Sequence, residues 1–217
     1  MELKGKKALF LGDSITEGVG ASKPENAFWQ VLGRNTGLEV KGYGVGGTRI
    51  ARQTQKSGNP RWDLDFNLRA AEMDKEADII CVFGGTNDYG HGFAPIGTDN
   101  DTSVYTFLGA VNTLFTYLQS TYPDAFIFVM TPLHRLRENN LRGDGYKPQG
   151  LPLSGYVDLI RKAAERFSLP VLDLYRDSGI NPNIDAIKQK YLPDGLHPSD
   201  LGHAKLAKMI EAFLRCR

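Results

Sequence analysis

A chain of 217 residues is long enough to bury roughly 70% of the surface its extended form exposes, so neither a disulfide nor a metal is needed for a stable core. Its 26 basic and 25 acidic residues nearly cancel, which excludes the one-sided positive field of a nucleic-acid binder. Two cysteines are too few for a disulfide scaffold, and no apolar run approaches the roughly 18 residues of a membrane span.

In chain order, residues 8–11 (ALFL) form the first apolar run. It has strand character and is too short for the core of a signal peptide, so a cytoplasmic location is expected. The run stops on Gly12-Asp13-Ser14, a small polar end that places a hydroxyl on the rim of a sheet. A weak helical pattern covers 26–34. Residues 38–41 alternate in polarity as an edge strand does, and run into a segment containing Gly42, Gly44, Gly46 and Gly47. A second weak helix covers 64–75. Residues 79–83 are continuously apolar and include Cys81, which with Cys216 reads as a free thiol. Gly84, Gly85, Thr86, Asn87 and Asp88 then open a long loop, 84–102.

Val104, Phe107, Leu108, Val111, Phe115 and Leu118 recur at three and four residues. They predict a helix capped by Ser103 and closed before Pro123. The apolar run 126–130 leads into a second long loop, 131–152. Leu153, Tyr156, Val157, Ile160, Ala164 and Phe167 make the next helical stripe, and 171–174 the last strand. Asp194, Gly195, Leu196 and His197 precede Pro198, Ser199 and Asp200. Those three open a helix striped by Leu206, Met209, Ile210 and Phe213.

Strands alternate with helices throughout, and continuous apolar runs suit strands covered on both faces. Right-handed crossovers then give an α/β fold with helices on both sides of a parallel sheet. Five strands in the flavodoxin-like order 2-1-3-4-5 are expected, with the alternating second strand at an edge. No linker, repeat or low-complexity tract interrupts the chain, so 1–217 reads as a single domain.

In such a sheet the strand C-termini share one rim, where α/β proteins bind ligands. Ser14, the glycine segment, Asn87 and the Asp194–His197 stretch all fall there. The residue types make an acyl-transfer site. A serine hydroxyl needs a base, and His197 can take its proton. Asp194 can reach the imidazole Nδ1 through one turn and fix its tautomer. The Ser14 and Gly47 backbone N–H groups and the Asn87 amide can meet an oxyanion. Asp13 is expected to brace the loop by accepting backbone N–H bonds.

Four blocks carry a resemblance: Gly12-Asp13-Ser14, the segment from Gly44 to Gly47, the segment from Gly84 to Asp88, and the segment from Asp194 to His197. Together they resemble the SGNH hydrolase family of GDSL-type esterases and lipases. Two departures stand out: Gly42 where the second block usually begins with Asn, and Ile15 where Leu usually follows Gly-Asp-Ser. The resemblance implies a three-layer α/β/α fold and ester hydrolysis through an acyl-enzyme, with no cofactor and no metal. By position it implies Ser14 as nucleophile, His197 as base, Asp194 as orienting acid, and Gly47 and Asn87 as oxyanion donors.

Among the loop residues, Arg49, Tyr89 and His134 are the expected substrate contacts. Trp62, Tyr89, Phe93, His134, Arg135 and Tyr146 suit a small acyl group on a sugar or other polar alcohol. A small-molecule ester is the expected partner, with neither nucleic acid nor membrane involved. Arg49, Arg52, Lys56 and Arg61 form a local basic stretch that could meet an anionic substrate or simply be solvated. Lysophospholipase- or thioesterase-like action on longer chains, or a non-catalytic carbohydrate- or acyl-binding module, are the alternatives. Gly42, Gly44 and Gly47 also match a dinucleotide fingerprint, but no amphipathic helix follows them. An Asp194, His197 and His203 metal site would want further ligands.

Overall fold

The computed structural model describes residues 1–141 and 150–217. Five strands form one parallel sheet: β1 (Lys7–Gly12), β2 (Glu39–Gly44), β3 (Ile79–Phe83), β4 (Phe126–Met130) and β5 (Val171–Leu172). Their order is β2-β1-β3-β4-β5, the expected 2-1-3-4-5. In register, Gly12 at the end of β1 stands beside Gly44 of β2 and Phe83 of β3.

The period-two alternation of a strand divides the core into two layers. Leu9, Leu11, Ile80, Val82, Ile127 and Val129 face one side. There they meet Phe66 and Ala70 of α3 (Phe66–Ala71), Tyr89 of α4 (Thr86–His91), Phe107, Val111 and Leu114 of α5 (Phe107–Thr121), and Tyr156, Val157 and Ile160 of α6 (Leu153–Arg166). Ala8, Phe10, Ile79, Cys81, Phe83, Phe128 and Met130 face the other. These pack on Ile15 of α1 (Ser14–Glu17), Phe28 and Leu32 of α2 (Phe28–Thr36), and Leu206, Ile210 and Leu214 of α9 (Asp200–Arg215). Each fully buried Leu, Ile or Phe removes apolar surface worth about 1.5–3 kcal/mol. The expected sandwich of helices, sheet and helices is what this double burial builds. On β2 the exposed Glu39 and Lys41 alternate with half-buried neighbours, as an edge strand requires.

Helix starts follow their caps. The Ser199 hydroxyl accepts from Gly202 N–H (3.3 Å) and opens α9 where the sequence places it. For α5 the cap is Thr106, not Ser103: its hydroxyl accepts from Gly109 N–H (3.2 Å) and donates to Asp101 Oδ2 (2.7 Å). Ser103 instead closes the preceding turn, its carbonyl accepting from Thr106 N–H (3.1 Å). The last strand is shorter than the expected 171–174: β5 stops at Leu172, because the Asp173 carboxylate accepts from Arg176 N–H (3.2 Å) and opens the short helix α7 (Leu174–Asp177) at Leu174. A second short helix, α8 (Asp185–Tyr191), follows in a stretch without clear periodicity. Among the described residues no helix is long and apolar enough to cross a membrane. Cys81 is buried in β3 and Cys216 is exposed, both as free thiols.

Candidate active site

Three of the four blocks stand where a strand stops. β1 ends at Gly12, and Asp13 turns the chain by accepting the Ile15 N–H at Oδ1 (3.0 Å), which leaves Ser14 as the first residue of α1. β2 ends at Gly44, and the next four residues form a tight turn closed by Thr48 N–H to Val45 O (3.3 Å). Gly47 takes the third turn position with φ 76°, the left-handed conformation that favours glycine there. A Cβ on Gly47 would also stand 2.2 Å from Trp62 Cδ1, so the indole lies directly on the backbone. β3 ends at Phe83, and α4 begins three residues later with Asn87 in its first turn. The fourth block follows α8.

Folding closes the 183 positions between Ser14 and His197 to one hydrogen bond: Ser14 Oγ lies 3.0 Å from His197 Nε2. On the far side of the ring, Nδ1 lies 2.7 Å from Asp194 Oδ2. The other carboxylate oxygen of Asp194 accepts the Leu196 N–H (2.8 Å) and the His197 N–H (2.7 Å). Partial burial works against ionisation of Asp194, but these N–H groups and the imidazole hold its pKa below the usual carboxylate value. Burial instead lifts the Asp13 carboxyl to about 6, against the Ile15 N–H bond and the nearby His197 and Arg69.

The donor side is organised by backbone and carboxylates. Glu17 Oε2 takes the Gly46 N–H (2.6 Å), whereas the Gly47 N–H meets no acceptor among the described residues. Asn87 donates through Nδ2 to Thr48 O (3.0 Å), which ties the third block to the second. Asp88 adds to that tie by accepting from Ile50 N–H and Ala51 N–H, both at 2.9 Å.

Ser14, Val19, Gly47, Trp62, Asn87, His91, Arg135, Leu196 and His197 line a cleft of about 310 Å³. The three expected substrate contacts are not among them. Arg49 is only 3% exposed; its guanidinium donates to His91 Nδ1 (3.1 Å), Trp62 O (2.9 Å) and Asp63 Oδ1 (3.3 Å). It acts on the cleft through its neighbours. Tyr89 is a core residue whose hydroxyl donates to the carbonyls of Arg137 and Asn140. His134 bonds the Glu138 carboxylate (2.9 Å) and stacks on Tyr175 with ring centroids 3.8 Å apart. The physical reason for Tyr89 is helix phase. Asn87 and His91, four apart on α4, share the face above the sheet, and Tyr89 between them points into the core.

The basic stretch is largely spoken for as well, with Arg52 paired to Asp65 and Arg61 to Glu17. Of the loop aromatics, Trp62 lines the cleft, Phe93 is exposed, and Tyr146 lies outside the described residues. Val19 and Leu196 carry no signal in the sequence that marks them as cleft walls, whereas His91, a loop histidine expected to be exposed or to touch substrate, is one. The Asn87-to-His91 spacing of four on one short helix is the signal that points to His91. No helix follows the glycine segment of the second block; the next regular element is the 3₁₀ turn Pro60–Asp63. His203 is wholly buried on α9, its Nδ1 accepting the Phe28 N–H (3.2 Å) and its Nε2 3.4 Å from Val19 O. Both ring nitrogens are therefore engaged by backbone, away from any ligand.

A serine, a histidine and an aspartate thus lie in one hydrogen-bonded line on an α/β/α sandwich whose parallel sheet has the order 2-1-3-4-5. The profile of the GDSL-like Lipase/Acylhydrolase family matches residues 10–205, and the chain belongs to that family of ester hydrolases. One solved structure is 30% identical to this chain, covers 100% of it and 99% of its own length, and superposes with a TM-score of 0.85. A protein from Lactobacillus plantarum is 28% identical, with 99% of each chain covered and a TM-score of 0.84. The acetyl xylan esterase AlAXEase shares the fold at 21% identity, over 96% of this chain and 99% of its own, with a TM-score of 0.62. No curated protein matches the sequence.

Proposed function

We propose that the protein is a serine esterase that hydrolyses carboxylic esters through an acyl-enzyme, with short acyl groups on a carbohydrate or other polar alcohol as substrates. The observation that carries this reading is the hydrogen-bonded line from Ser14 Oγ through His197 (3.0 Å) to Asp194 (2.7 Å). That order of groups is what nucleophilic catalysis by serine requires. His197 Nε2 removes the Ser14 proton as Oγ attacks the acyl carbon, and Asp194 stabilises the imidazolium at Nδ1. The carbonyl oxygen, now an anion, sits among the N–H groups of Ser14 and Gly47 and the Asn87 amide. Gly47 is preferred to Gly46 because Glu17 already occupies the Gly46 N–H. The imidazolium protonates the leaving alcohol, and water, deprotonated by His197, releases the acid. Neither a cofactor nor a metal is needed in this scheme.

Substrate size follows from the cleft. About 310 Å³ lies near the lower end of the ~300–1,000 Å³ typical of small-molecule sites. Val19, Trp62 and Leu196 are its apolar lining, beside the polar Ser14, Asn87, His91, Arg135 and His197. A partly exposed indole tilted against an imidazole, ring centroids 4.8 Å apart, is a flat rim suited to the C–H face of a sugar ring.

The test is hydrolysis of p-nitrophenyl acetate by the wild type and by Ser14→Ala, followed by acyl chains from acetate to decanoate and by acetylated sugars. Activity abolished in Ser14→Ala and falling with chain length is expected. An unchanged rate in Ser14→Ala rejects the serine mechanism, and a maximum at long chains rejects the short-acyl preference.

A further inference from the structure

We propose that Arg69, which touches no reacting group, is a positioning residue for the oxyanion side of the site: its guanidinium holds together the strand end that delivers Ser14 and the turn that presents Gly47. The kinetic part of this proposal rests on the esterase reading above.

Arg69 lies on α3 and is only 5% exposed. Its Nε donates to Leu64 O (2.9 Å), Nη1 to Gly12 O (2.9 Å) and to Tyr43 O, and Nη2 to Thr48 Oγ1 (2.8 Å). These acceptors sit on four separate stretches. Gly12 ends β1 two residues before Ser14, and Tyr43 lies near the end of β2. Thr48 closes the Gly47 turn, and Leu64 follows Trp62 by two residues. The Phe66 ring lies 4.7 Å from the guanidinium carbon and gives the group a flat seat.

All four acceptors are neutral oxygens, and no ion pair to Arg69 is formed among the described residues. Burial without a contacting carboxylate is unfavourable for a cation. It draws the pKa down to about 10, which still leaves the group charged at neutral pH. A lysine or an apolar side chain could fill the volume. Only a planar fork with five donors can hold several carbonyls at fixed angles at once.

The path from Arg69 to the oxyanion donors is short. Thr48 Oγ1 accepts from Arg69 and donates to Val45 O (2.7 Å), bracing the turn on either side of Gly46 and Gly47. The Thr48 carbonyl accepts from Asn87 Nδ2 (3.0 Å). One residue adjacent to Gly47 thus also sets the Asn87 amide, and Arg69 anchors that residue to the end of β1. If Thr48 shifts, two of the three oxyanion donors move relative to Ser14. A misplacement of about 1 Å can cost about 10²-fold in rate.

Two variants test this. Arg69→Lys keeps a charge but loses the fork; Thr48→Val keeps the shape but removes the hydroxyl. For Arg69→Lys we expect kcat to fall by about 10²-fold with KM within about threefold, and for Thr48→Val a smaller fall in the same direction. An alkyl boronic acid, whose anionic tetrahedral adduct uses the same donors, should lose affinity in parallel with kcat. A purely structural role would lower the folded fraction and leave these ratios alone. If Arg69→Lys does not fold, Thr48→Val decides: wild-type kcat and wild-type boronate affinity in that variant overturn the proposal. A wild type that cleaves no ester overturns the esterase reading instead. Exchange of the Asn87 side-chain proton bonded to Thr48 then decides the positioning role by NMR: faster exchange in Thr48→Val supports it, and unchanged exchange overturns it.

Discussion

Arg49 Nη1 lies 3.1 Å from Nδ1 of His91, and since a guanidinium has no acceptor, the imidazole nitrogen must receive that hydrogen bond. The same guanidinium donates to Trp62 O (2.9 Å). One buried cation thereby sets two aromatic walls of the cleft. Arg49→Ala should loosen both walls and raise KM for neutral and acidic esters alike, by about tenfold, as loss of uniform binding does. The check is a pair of acetate and succinate monoesters of one alcohol. A rise confined to the anionic ester would return Arg49 to a direct substrate contact.

The Asp194 carboxylate holds the His197 ring by its Nδ1 (2.7 Å) and its own turn by two backbone N–H groups. Asp194→Asn preserves the size but offers a donor where an acceptor is needed, so Nδ1 is left with the wrong tautomer. A fall in kcat of about 10²–10⁴ is expected, with KM little changed. Stopped-flow measurement of acyl-enzyme formation locates the loss in the acylation step.

Gly47 combines a φ of 76° with an indole 2.2 Å from where a Cβ would stand. Gly47→Ala should therefore displace Trp62 and twist the Gly47 N–H away from the oxyanion. Backbone strain alone costs roughly 1–2 kcal/mol, measurable by urea unfolding. The loss of kcat should be larger, up to about 10²-fold. Gly46→Ala separates the two: its Cβ would meet the far end of the Glu17 side chain at 2.8 Å, and a smaller kinetic loss is expected.

The buried His203 imidazole is held at a pKa of about 4, chiefly by burial. A depressed pKa means that stability present above the unfolded value of 6.5 is lost as pH falls towards 4. Asp13, lifted to about 6, acts in the opposite sense, losing stability as pH rises from 3.8 to 6. His203→Gln leaves Asp13 in place, so the difference between the two chains isolates the histidine. Wild type should lose up to about 3 kcal/mol more than the variant between pH 7 and pH 4. Urea midpoints at those two values check it, and parallel pH profiles would show that His203 does not titrate in this range.

Much of the architecture was legible because parallel strands buried on both faces must be continuously apolar. The runs at 79–83 and 126–130 became β3 and β4 residue for residue. The helices α7 and α8 were not legible. Each is under eight residues, too short for a stripe to repeat, and α8 has no fully buried residue to impose one. Residue type alone favours Ser103 over Thr106 as the cap of α5, since serine is the better N-cap. Asp101, which holds the Thr106 hydroxyl, decides between them.

The candidate catalytic residues were readable from residue types alone, since acyl transfer by serine tolerates few substitutes for a hydroxyl, an imidazole and a carboxylate placed at strand ends. The cleft walls were not, and Arg49, Tyr89 and His134 show why. A residue on a loop over the site can point inwards, outwards or into the core, and a loop has no period from which to read that direction. Even Arg69, at the centre of the donor scaffold, looks in the sequence like any exposed helical arginine. By itself the chain determined which chemical groups reach the sheet edge. Which of their neighbours face substrate, and which are spent holding others in place, was decided only when oxygens from four separate stretches, three backbone carbonyls and the Thr48 hydroxyl, came within reach of one side chain.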